Sequence, residues 1–210
     1  MVSKSDPDQK RAPEPEAPEP RDSTVATALR LFASIFVHEP SRLLMHELEA
    51  RREELTSALG TDPLAGLDLH APEAAEETLA VDYCQLFIGP GTHLAPVESV
   101  AGGDGRYWGP LTERVIASYA KLGFEVPEGT QVFPDHIAME LDCLALLEEQ
   151  GRHSEAATFA IEHLLRWLPA LVEHVKHRAQ TAFYPACAKG LLVFLEELYH
   201  VDAQENLTKD

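Results

Sequence analysis

HSEAATFAIEHLLRWLPALVEHVKHRA, residues 153–179, is too long and too regular in its apolar spacing to be anything but helix, and it sets the class of the fold. Pro169 is expected to kink or divide it. The same periodicity recurs on both sides. FPDHIAMELDCLALLEEQG (133–151) is a mostly apolar, central helix, with Pro134 and Asp135 at its start, Asp135 as its cap and Gly151 after its end. FYPACAKGLLVFLEELYH (183–200) gives the last helix. Upstream, STVATALRLFASIFVHEP (23–40) takes Ser23 or Thr24 as N-cap, and SRLLMHELEARREELTSALG (41–60) reads as one amphipathic helix closed by Gly60. PEAAEETLAVDYCQLFIG (72–89) opens on Pro72, and PLTERVIASYAKLGF (110–124) is a fourth helix. No segment alternates as a strand and no long period repeats. The chain reads as all-α, a single globular helical domain with room for two lobes.

Composition narrows the function. With 210 residues, 45% of them hydrophobic, the chain can bury a core without crosslinks. Cys84, Cys143 and Cys187 are far apart, odd in number and without a CxxC pair, which argues for a reducing compartment and against a spelled-out zinc site. No apolar run approaches the roughly 20 residues of a membrane span. Residues 1–22 are Pro/Glu-rich and read as a disordered tail, 23–203 as the helical domain and 204–210 as a flexible C-terminus. Lys10-Arg11 precedes no apolar h-region, so the tail is not a secretory signal and the protein is expected in the cytoplasm. The 35 acidic and 17 basic residues leave a formal charge of -18, which disfavours nucleic acid and anionic membranes and suits a basic partner.

Two places stand out from the helical background. The connection from about residue 88 to 108 is long, yet Ile88, Leu94, Val97, Val100, Tyr107 and Trp108 make it apolar enough to pack. Gly89-Pro90-Gly91 ends the preceding helix, and Pro96 holds Glu98 and Ser99 in a fixed segment. On the 133–151 helix, His136 and Glu140 lie one turn apart, with Cys143 a further turn on. They are either part of a metal set, short of a tetrahedron, or a His–Glu hydrogen bond at the rim of a groove. No nucleophile motif, paired catalytic carboxylates or phosphate loop occurs, so nothing demands an enzyme or a cofactor. His174 and His177 fit the negative end of their helix.

DYCQLFIGPGTHLAPVES (82–99) resembles the D-Y-x-x-L-F-x-G-P…P-P-W-E-S-V pattern of the TorD/DmsD family of redox enzyme maturation chaperones, and FPDHIAMEL (133–141) is similar to that family's E-x-x-P-D-H-[IL]-x-x-E-L signature. Helical layout agrees over roughly residues 24 to 200. The resemblance implies a cytoplasmic, TorD-like chaperone of molybdoenzymes. It would bind the apo form and the twin-arginine signal peptide of a molybdopterin oxidoreductase catalytic subunit, as a monomer or homodimer, and hold back export until cofactor insertion. The matching positions imply a peptide-binding region of Tyr83, Leu86, Phe87, Pro90, Pro96, Glu98 and Ser99 with Pro134, Asp135, His136 and Glu140. Val97 stands where the family places an aromatic, Ala101 where it often has one, and Ala95 for the first proline. The competing readings are a metal or redox bundle built on His136, Glu140 and Cys143, and an accessory subunit that stays in an oxidoreductase complex.

Overall fold

The computed structural model describes residues 21–90, 93–103 and 105–200. The tail expected over 1–22 lies outside them up to residue 20, as do Gly91 and the 204–210 terminus. The first helix, α1 (Arg21–Val37), begins ahead of the expected caps Ser23 and Thr24. Ala26, Leu29, Ala33 and Phe36 recur at helical spacing along its buried face. It ends where Pro40 pushes Glu39 out of the helical region.

The expected 41–60 helix is two helices, α2 (Arg42–Ala50) and α3 (Arg52–Leu59), parted at Arg51. The physical reason is that the halves face different partners. Leu44, Met45 and Leu48 bury α2 toward α4 (Pro72–Tyr83), whereas α3 leans on α10 (Phe183–Leu198). Ser41 Oγ accepts from Leu44 N at 3.3 Å to start α2, and Gly60, at φ +67°, closes α3 in the left-handed region that a side chain would strain.

After α4 the chain makes a π turn over Cys84–Ile88, then a four-residue helix α5 (Glu98–Ala101) inside what reads as a loop, then α6 (Pro110–Leu122). The central α7 (Ile137–Glu149) is buried nearly all round and packs chiefly on α1. The two run antiparallel, since Val37 at the end of α1 and His136 at the start of α7 line one cleft. The 153–179 segment divides into α8 (His153–Glu162) and α9 (Leu164–Arg178). The break falls at His163 and not at Pro169, which is exposed and lies inside α9. Among the described residues the β pairing is one isolated antiparallel bridge, Val97 to His136, and no helix is long and apolar enough to cross a membrane.

Candidate functional site

The bridge ties the two anomalous stretches together. Glu98 N donates to Asp135 O at 2.8 Å, and Ile137 N donates to Pro96 O at 2.9 Å, so Pro96–Glu98 is clipped along the approach to α7. The upstream end of the loop is fixed by the π turn. Its register frees the Leu86 carbonyl to accept from Leu94 N at 2.9 Å and to meet His174 Nε2 on α9 at 3.2 Å. Leu86 and Phe87 are buried, and Phe87 packs edge-on against Phe36, Tyr83 and Tyr184 with centroids 5.1 to 6.1 Å apart. Tyr83 Oη donates to Phe36 O at 3.0 Å, which pins α4 to the end of α1.

Between these walls lies a cleft of about 320 Å³. Its floor and near side come from Val37, Tyr83, Phe87 and Ile88; Ala95, Pro96, Val97 and His136 form the clipped wall. Tyr107 and Phe133 close the far side, stacked at 4.6 Å, with Trp108 edge-on to Phe133 at 5.8 Å. Trp108 holds φ +58°, a left-handed conformation that a bulky residue adopts only under constraint, and is 64% exposed.

Of the sequence-derived site residues, Tyr83, Phe87, Pro96 and His136 line the cleft. Leu86 and Pro134 lie buried behind it, and Pro90 is exposed on the loop without lining it. Glu98, Asp135 and Glu140, which the resemblance puts in the peptide-binding region, do not reach the surface, for none is more than 3% exposed. Each has an interior partner that sequence spacing does not reveal. Asp135 Oδ2 accepts from Ser99 N at 2.9 Å and from Thr112 Oγ1 at 3.1 Å; it is not the cap of α7. That cap is His136, whose Nδ1 accepts from Ala138 N at 3.1 Å. Glu98 Oε2 pairs at 2.9 Å with Nδ1 of His163, whose Nε2 lies 2.9 Å from Ser118 Oγ. Glu140 Oε2 accepts from Trp167 Nε1 at 3.3 Å, and burial beside Glu98 pushes its carboxyl pKa well above the usual range.

The His136–Glu140 hydrogen bond is therefore not formed: one side chain caps its own helix and the other turns to α9. Cys143 is buried and its thiol is pushed up to about 12, chiefly by desolvation. Among the described residues no group of three or more His, Cys, Asp and Glu side chains gathers to hold a metal ion. His163, Thr112 and Trp167 were not legible as partners, and neither was Asp82. Asp82 accepts from Gln180 N at 3.0 Å and Thr181 N at 2.9 Å, securing the entry to α10. Only its place at the head of the first motif marked it.

A family model described as nitrate reductase delta subunit matches residues 41–173, a span holding both motifs and the network from Asp82 to Trp167. A chaperone protein TorD from Vibrio cholerae is 30% identical over 138 residues, 60% of this chain and 63% of that relative, so the chain spans under two thirds of its length. TorD from Vibrio parahaemolyticus is 29% identical over 190 residues, covering 78% of this chain and 87% of that one. In fold, the chain is similar to a crystal structure of a candidate redox enzyme maturation protein from Archaeoglobus fulgidus. The TM-score is 0.58 at 23% identity, over 81% of this chain and 93% of that one.

Proposed function

Because the chain belongs to the nitrate reductase delta subunit family, which includes the TorD chaperones, we propose that it is a dedicated chaperone for a molybdopterin-containing oxidoreductase. On this reading it binds the twin-arginine signal peptide of the catalytic subunit in the cleft and supports cofactor insertion before export. The observation that carries the reading is the cleft itself, an apolar trough formed where the two family motifs meet. Tyr83, Phe87, Pro96 and His136 are the contact residues. Leu86, Ser99, Glu98, Pro134, Asp135 and Glu140 act behind them by fixing the walls.

Burying about 400 Å² of an apolar h-region is worth about 10 kcal/mol gross. Association costs of about 4 to 15 kcal/mol remove much of that, leaving binding near micromolar, at about -8 kcal/mol. Titration calorimetry with a synthetic twin-arginine leader tests this. Ile88 lines the cleft and is 61% exposed, so Ile88→Asp places a charge in the apolar wall without disturbing the core. We expect micromolar binding by the wild type and at least about tenfold weaker binding by the variant. A wild type that does not bind, or a variant that binds equally, overturns the site.

The family description names a subunit, which favours one second reading, an accessory subunit resident in an oxidoreductase complex. Stoichiometric co-purification that survives loading of the client with its cofactor would establish that reading; release on loading would establish the chaperone.

A further inference from the structure

The cleft is apolar but not uniform along its length. Its lining contains no Lys, Arg, Asp or Glu, and of its two histidines the buried His136 is held neutral, its pKa lowered to about 4 by desolvation. Carboxylate or Lys/Arg charge therefore comes from outside the lining residues. At one end α1 terminates at Val37, a lining residue, and its last turn carries no basic side chain to offset the partial negative charge of its terminal carbonyls. Two residues on, Glu39 is exposed and has no ion-pair partner among the described residues. Its charge reaches the cleft, where it helps raise the Tyr83 phenol, although desolvation is the larger cause.

The opposite end is built differently. Tyr107, Trp108 and Phe133 form an aromatic group that shares no ring contact with the Phe36–Tyr83–Phe87 group among the described residues. Residues 130–133, Thr-Gln-Val-Phe, carry no charge. A cationic group gains at the first end, while a large apolar side chain gains most at the second.

We infer that the cleft has a polarity: the basic residues of a bound peptide sit at the α1 end against Glu39, and its apolar residues lie over the Tyr107–Phe133 stack beside Trp108. This rests on the peptide-binding reading above and assigns Glu39 as the residue that selects for the basic pair.

Fluorescence anisotropy with two labelled peptides tests it, one carrying Arg-Arg before an apolar stretch and the other Gln-Gln at the same positions. Glu39→Gln is expected to weaken the Arg-Arg peptide about two- to fivefold, the range of an exposed ion pair, and Glu39→Lys about tenfold or more. Both should leave the Gln-Gln peptide within about twofold of the wild type. Trp108→Ala should weaken both peptides alike. Glu39 variants that bind both peptides as the wild type does, or a Trp108→Ala variant that loses only the Arg-Arg peptide, overturn the polarity while the peptide-binding reading stands. A wild type that binds neither peptide overturns both.

Discussion

His136 serves two structures at once: its Nδ1 closes the first turn of α7, and its ring forms part of the cleft wall. Burial lowers its pKa to about 4, against 6.5 when exposed, so the unfolded chain takes up a proton that the folded chain refuses. Stability from this group is fully present above about pH 6.5 and is lost as pH falls toward 4, a difference of roughly 3 kcal/mol. His136→Asn keeps a good cap but does not titrate. Urea unfolding at pH 7, 5.5 and 4 should show the wild type losing stability relative to the variant as the solution is acidified. Parallel curves would mean that His136 is not held neutral.

Glu140 has the opposite sign. Its folded-state pKa is raised by burial, by the Glu98 charge and by Asp135, with Tyr119 and Cys143 also facing the cluster and the Trp167 hydrogen bond opposing the shift. The folded chain therefore binds a proton that the unfolded chain releases above about pH 4.5, and stability falls as pH rises from there. Glu140→Gln is neutral and can still accept from Trp167. It should be more stable than the wild type, by a margin larger at pH 8 than at pH 5 in denaturant titrations. Sequence could identify Glu98, Asp135 and Glu140 as unusual but not orient them, because Ser99 N, Thr112 and His163 come from other parts of the chain.

At the scale of elements, periodicity recovered the helices because burial follows the helical repeat on most of the long segments. It misplaced breaks whose cause is a distant partner. His163 leaves the α8–α9 line to meet Glu98, and α2 parts from α3 to follow two different helices. The short α5 was invisible because four residues offer no period. Its fit against α9 depends on Gly102, where a Cβ would stand 2.6 Å from Trp167 Cβ and 3.2 Å from the Glu98 carbonyl. Gly102→Ala should push α5 off α9 and cost about 1 to 3 kcal/mol, the usual range for overpacking. Thermal unfolding measures the loss. Tryptophan emission should shift to the red if the wall opens, and an unchanged spectrum and melting temperature would show that α5 yields without strain.

For the whole molecule, the formal charge of -18 acts on folding and binding in opposite directions. Self-repulsion among surface acids weakens the compact state, and the same field draws in a basic peptide. Raising salt from about 50 to 500 mM shortens the Debye length severalfold. The melting temperature should rise while the association rate of a twin-arginine peptide falls, both readable by scanning calorimetry and stopped-flow anisotropy. An association rate indifferent to salt would remove steering from the account.

The pairing of α1 with α7 has a consequence in time. Arg30 meets Glu149 across 119 residues, and most of the apolar face of α1 is covered by a helix that starts a hundred positions after it ends. A ribosome adding about 5 to 20 residues per second completes α7 roughly 5 to 20 s after α1 emerges. During that interval α1 lacks the cover that α7 gives it, and loop-closure entropy must be met before those contacts can form. A nascent chain of this protein is thus itself a sticky, half-made object on the ribosome, in need of the shelter it is proposed to give another.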